Sequence, residues 1–187
     1  MRIRNKKKPT RGKTVAPPLK LDLGCGKNKQ AGFVGVDVRK FDGVDQVVDL
    51  TKPWPWKSDS VEEIHCSHFV EHLTGPQRIH FINELHRVLQ VDKKATIVTP
   101  HWASCRAYGD LTHQWPPVSE FWFYYLSRAW REQNAPHNDF YTCNFEVVWG
   151  YGLRDDLGAR NQDYQQYATA NYKEAITDIC ATMTKRP

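Results

Sequence analysis

The sequence predicts an α/β domain built on a mostly parallel seven-stranded sheet flanked by helices, and three observations predict it. Short apolar runs, several rich in β-branched residues, recur at 19–23, 33–38, 46–50, 61–67, 94–100, 145–149 and 179–184, where alternation and bounding turn residues read as strands. A segment with helical periodicity and its own start signal separates the fourth run from the fifth. The links are short, so consecutive elements are expected to pack side by side, with helices on both faces of the sheet.

The first strand, 19–23, ends at the glycine turn Gly24-Cys25-Gly26, and the second begins only ten residues after Leu23. A parallel crossover needs about that length, so this link holds a loop and at most a turn or two of helix. The third and fourth strands, 46–50 and 61–67, both end in polar residues. Thr74, Pro76 and Gln77 form a helix start: an N-cap, a proline in the first turn and the far end of a capping box. Ile79, Ile82, Leu85 and Leu89 then recur on one face through about residue 90. A fifth strand at 94–100 ends in Pro100. Beyond it, residues 101–117 are polar and aromatic and read as a lid or acceptor loop, the start of an insertion spanning 101–135. The aromatic run 121–125 is expected to be a helix packed on the sheet. A sixth strand at 145–149, a polar helix at about 161–177 and a last strand at 179–184 complete the domain, which spans 19–187.

Charge is unevenly distributed. Residues 1–20 carry eight basic side chains and no acid, leaving 18 basic against 21 acidic residues in the remainder. The segment 1–18 is expected to be a disordered basic arm, too poor in apolar residues to order itself and suited to contact with nucleic acid. No apolar run approaches the length of a membrane span, so no membrane partner is expected. Five scattered cysteines without a C-x-x-C pair suit a reducing compartment. The expected location is cytoplasmic.

Chemistry concentrates at the strand ends. The 24–26 turn lets backbone amides approach a ligand, Asp22 precedes it, and Asp37 closes the next strand, where a carboxylate can accept both hydroxyls of a ribose. A dinucleotide site requires a third glycine at position 29 and an acid about 20 residues on. Position 29 is Lys, and Asp37 follows Gly26 by only eleven residues. These features exclude a dinucleotide cofactor and favour a ligand with a ribose and no phosphate.

Together with Val48-Asp49-Leu50, Ser67-His68-Phe69-Val70-Glu71-His72-Leu73 and Asn83-Glu84-Leu85-His86-Arg87-Val88-Leu89, this set resembles the class I S-adenosylmethionine-dependent methyltransferases, in particular the short bacterial and viral type. The resemblance covers about residues 19–100. It implies a Rossmann-like methyltransferase fold with an antiparallel last strand and S-adenosyl-L-methionine as cofactor. By the same resemblance, Asp22, Gly24, Cys25 and Gly26 meet the methionine end, Asp37 with Val38 the ribose, and Asp49 with Leu50 the adenine, while Ser67 and His68 line the pocket floor. Cys25 reads as a small filler rather than a nucleophile.

Methyl transfer from a sulfonium needs alignment in a water-poor cleft and no protein nucleophile. A base is needed if the acceptor is a hydroxyl or a protonated amine, and His113 is the first candidate, with His101 and Asp110 beside it. His72, Trp102, Arg106, Tyr108 and Trp115 are the expected acceptor-binding residues, their rings suited to walling a site that carries a cationic methyl. The acceptor itself is not specified, with a small molecule or nucleotide favoured. Two competing readings remain. A catalytically silent nucleic-acid-binding module would use the basic arm. A zinc peptidase is suggested by His68-x-x-Glu71-His72, but the sequence offers no third ligand, and no metal is expected.

Overall fold

The computed structural model describes residues 18–187, so the basic arm lies outside the described residues except for its last position. The sheet is built from β1 (Lys20–Leu23), β2 (Val34–Asp37), β3 (Gln46–Val47), β4 (Val61–Ser67), β5 (Leu89–Pro100), β6 (Phe145–Leu153) and β7 (Ile176–Lys185), in the order β3-β2-β1-β4-β5-β7-β6. Pairings from β3 through β5 are parallel. β7 inserts antiparallel between β5 and β6. The strand order reverses at β1, which pairs with both β2 and β4, and a ligand crevice is expected beyond the carboxyl ends of the strands there.

Strand alternation divides the sheet into two unlike faces. Leu21, Leu23, Val36, Ile64, Cys66, Ala95 and Ile97 all point to one face and are fully buried or nearly so. Helix α1 (Gly75–Val88) packs Phe81, Ile82, Leu85 and Val88 against them in one core, each such side chain worth about 1.5–3 kcal/mol of burial. Its start is as the sequence predicts: Gln77 Oε1 accepts the Thr74 N–H at 2.9 Å, with Pro76 in the first turn. The opposite face carries Lys20, Glu63, His65, Thr96 and Thr182, all half-buried except the exposed Lys94 beside them. The β1–β2 and β2–β3 links contain no helix, so the two faces are covered unequally rather than alike.

Element lengths depart from the sequence expectation where side chains capture the backbone. β3 has two residues rather than five because Asp49 Oδ1 accepts both the N–H and the hydroxyl of Thr51, turning the chain at once. β5 begins at Leu89, inside the expected helix, because Leu89 pairs with Val61 and its carbonyl accepts from Lys185 Nζ at 2.7 Å. β6 and β7 are longer than expected, since they pair with each other from Phe145–Lys185 to Leu153–Ile176. The polar helix α6 therefore stops at Asn171 (Gln162–Asn171), with α5 (Asp155–Gly158) before it. Within the insertion lie α2 (Arg106–Gly109), α3 (Glu120–Tyr124) and α4 (Arg128–Asn134). α3 is the expected aromatic helix, but only Phe123 of the run is fully buried, with Trp122 packed partly buried against the core and Phe121 exposed.

Candidate active site

The first glycine turn is fixed by main-chain bonds to the neighbouring strand. The N–H groups of Gly24 and Cys25 both donate to Val36 O, at 2.8 and 3.1 Å. Gly24 has φ +69°, and a Cβ there would lie 2.5 Å from the Phe69 ring, so no other residue fits. Gly26 has φ +52° and nothing within 4 Å of where a Cβ would stand, which leaves open space over the turn. Its N–H donates to Asp37 Oδ2 at 3.0 Å, while Asp37 Oδ1 accepts from Arg39 N at 3.0 Å. The turn and the ribose-binding candidate are thus one unit, and each Asp37 oxygen keeps a further lone pair.

Asp22 has a different part. It is buried, its Oδ2 accepts the Gln30 N–H at 2.6 Å and its Oδ1 lies 2.8 Å from His65 Nδ1. It braces the loop after the turn, doing with a carboxylate what a crossover helix would do with packing. Cys25 is also buried, and burial, then Asp22 and Asp37, push its thiol up from the ordinary value, so it stays protonated and unreactive.

Beyond Asp37 a cavity of about 220 Å³ opens, lined by Val38, Asp49, Leu50, Phe69 and His72 among others. Three of the expected cofactor residues therefore share one wall. The hydrogen bonds from Thr51 hold the Asp49 carboxyl below its ordinary value, so it stays ionised. Ser67 and His68 do not line this cavity. His68, at φ +52°, turns its imidazole to Glu71 and Asp178, with Nδ1 3.3 Å from Glu71 Oε1 and Nε2 3.9 Å from Asp178 Oδ1. The Glu71 hydrogen bond raises its pKa.

The loop side gathers some of the expected acceptor residues and scatters others. His72 and His113 pack edge to face with ring centroids 4.8 Å apart, and Asp110 joins them through Thr112. Thr112 donations hold the Asp110 carboxyl below its ordinary value. His101 is elsewhere: it lines a cavity of about 400 Å³ with Trp102, Glu120, Tyr151 and Tyr172. Its Nδ1 accepts from Ala103 N at 3.2 Å and its Nε2 bonds Glu120 Oε1 at 2.9 Å, so neither nitrogen is free to act as a base. Arg106 is paired with Asp178 at 2.8 Å, Tyr108 donates to Trp102 O, and Trp115 is 78% exposed. Arg106, Tyr108 and Trp115 line neither cavity.

Three residues outside the sequence expectation organise this region. Buried Arg78 on α1 donates to the carbonyls of Val70, Glu71, Gln114 and Pro116. With Gln114 N donating to Glu71 O at 2.8 Å, this ties the loop to the turn at Val70–His72 and sets His113 beside His72. Phe69 forms the lid of Gly24, and Glu71 is a buried carboxylate at the junction. An arginine four residues after an N-cap gives no sign in sequence that it is buried.

No family model matches the chain, and no curated protein matches it. Solved structures do. A SAM-dependent methyltransferase from Archaeoglobus fulgidus superposes with a TM-score of 0.65 at 16% identity, covering 90% of this chain and 86% of that one. The YcgJ protein from Bacillus subtilis gives 0.56 at 14%, with 91% and 92% covered. Geranyl diphosphate C-methyltransferase from Streptomyces coelicolor A3(2), solved with Mg2+, geranyl diphosphate and S-adenosyl-L-homocysteine, gives 0.54 at 12%, with 90% and 71% covered. The order β3-β2-β1-β4-β5-β7-β6 with its antiparallel β7 and these superpositions show that the chain has the fold of the class I S-adenosylmethionine-dependent methyltransferases.

Proposed function

We propose that the protein is an S-adenosylmethionine-dependent methyltransferase. The observation that carries this reading is the Gly26 N–H bond to Asp37, which joins the first glycine turn to the end of β2 at the strand-order reversal, with the next residue, Val38, on the wall of a cavity that Asp49 and Leu50 also line. Open space over Gly26, a carboxylate at the end of β2 and a mostly apolar cavity beside it suit the methionine end, ribose and adenine of one ligand in turn. The fold is that of neighbours solved as methyltransferases, one of them with the demethylated cofactor bound.

The cofactor supplies an electrophilic methyl on a sulfonium. Asp37 accepts from the ribose hydroxyls, Asp49 and Leu50 flank the base, and the open face of Gly26 lets the methionine portion approach the backbone. The residue 101–135 insertion excludes water and carries the acceptor. With the cofactor bound, the acceptor's nucleophilic atom would bond the methyl carbon as the carbon–sulfur bond broke, its electron pair returning to sulfur. His113, whose Nδ1 faces Ala107 O at 3.3 Å and whose Nε2 lies 4.0 Å from Asp110 Oδ2, is the candidate base for the acceptor's proton. The acceptor is a small molecule or nucleotide. Calorimetric titration with S-adenosylmethionine and S-adenosylhomocysteine tests the reading: one site per chain is expected, and no heat with either compound refutes it.

A further inference from the structure

We infer that Glu71, His72 and His113 form a binding site for a divalent transition-metal cation. One ligand atom from each lies within 4.8 Å of the other two. The hydrogen bonds to Nδ1 of both rings select the tautomer with the lone pair on Nε2. Thr112 Oγ1 gives its own proton to Asp110 Oδ1 at 2.7 Å, so at 2.9 Å from His72 Nδ1 it accepts, which leaves Nε2 of His72 unprotonated. His113 Nδ1 faces the carbonyl of Ala107 at 3.3 Å, which only accepts, so in the neutral ring the lone pair falls on Nε2, which lies 4.0 Å from Asp110 Oδ2. Backing a ligand imidazole by a carbonyl or a carboxylate-anchored hydroxyl is how metal sites fix the tautomer.

Glu71 supplies the charge. Only 4% of its surface is exposed, Oε2 accepts from Thr99 at 3.1 Å and Oε1 faces His68, so lone pairs remain on both oxygens. Glu71 has His68 at 3.3 Å on one oxygen, and its remaining lone pairs with the two imidazoles make a cluster of acceptors that a metal cation bridges. Two imidazoles and one carboxylate suit Zn2+, Mn2+, Fe2+ or Co2+ and leave coordination positions open. The third ligand that the H-x-x-E-H segment lacks in sequence comes from the loop that Arg78 ties down. On the methyltransferase reading, the open positions take an acceptor hydroxyl, lower its pKa and let its proton leave to water as oxygen bonds the methyl carbon. His113 is then a ligand rather than the base.

The test is titration of the full chain with Co2+ alone, followed by visible absorption, with Zn2+ competition and metal analysis after dialysis. One equivalent with ligand-field bands is expected, weakened at least tenfold in His113→Ala and in Glu71→Gln. Thr112→Val, an exposed change that leaves every ligand in place, is expected to weaken it about tenfold. No stoichiometric cobalt in the wild-type chain, or affinity unchanged in folded His113→Ala and Thr112→Val, overturns the site. S-adenosylhomocysteine titration of the same samples is scored separately, so the loss of one reading is distinguishable from the loss of the other.

Discussion

The Phe69 ring lies over Gly24, so close that a single methyl at Gly24 would meet it at 2.5 Å. This contact joins the first glycine turn to the segment after β4 and leaves no slack at φ +69°. Gly24→Ala is expected to cost about 1–3 kcal/mol from the backbone conformation alone, and more from the ring. Chemical denaturation of Gly24→Ala and of Gly24→Ala with Phe69→Ala separates the two: the double variant should recover the steric part only.

Arg78 holds four carbonyls, and while Val70 O and Glu71 O also accept backbone N–H groups from Leu73 and Gln114, Gln114 O and Pro116 O accept, among the described residues, from Arg78 alone. Arg78→Ala is expected to lower stability by about 2–4 kcal/mol, because buried acceptors are left unpaired. It should also release the loop at residues 114–116. Limited proteolysis checks this: cleavage within 101–117 should accelerate in the variant before global unfolding sets in.

Glu84 accepts from Trp54 N and twice from Arg87, all at 2.7 Å, and so pins the β3–β4 link to α1. The Arg87 hydrogen bond in first place holds its carboxyl below the ordinary value, against the opposing effect of burial. A depressed folded-state pKa contributes stability that is present above the unfolded value and lost as pH falls through the folded one. Urea midpoints should therefore fall below about pH 4.5 in part through Glu84. Glu84→Gln should cost about 1–3 kcal/mol at pH 7 and show a shallower acid limb.

Cys25 sits in the turn with its thiol raised by burial. Cys25→Ala is expected to keep methyl transfer within a few-fold of wild type, measured with whichever acceptor is turned over. A complete loss of turnover with cofactor binding intact would assign the thiol a chemical part that its surroundings argue against.

The strand-and-helix skeleton was legible because each element carries its own local signal: alternation for the strands, and Thr74, Pro76 and Gln77 for α1. The link from Gly24 to Phe33 was legible as too short for a full helix. Its consequence, a sheet face left half-exposed, depends on counting the missing helices rather than reading the present ones. The residues proposed for the cofactor, Gly24, Gly26, Asp37, Asp49 and Leu50, were picked out because they fall at or just beyond strand ends, where topology gathers them. The loop side was not. Nothing local in the sequence announces that Arg78 is buried, or that it draws Gln114 and Pro116 to Val70 and Glu71 across more than thirty residues. His101 illustrates the same limit: its neighbour Glu120 lies 19 residues on, and the pair that occupies its Nε2 is a tertiary contact.

The most direct measurement is the dissociation constant of S-adenosylhomocysteine for wild type and Asp37→Ala, with thermal melts to confirm that both are folded. Asp37 Oδ2 already holds the Gly26 N–H at 3.0 Å, and hydrogen bonds to a charged acceptor are worth about 1.5–3 kcal/mol. The account predicts that affinity weakens by about ten- to a hundredfold. An unchanged constant in a folded Asp37→Ala protein contradicts it.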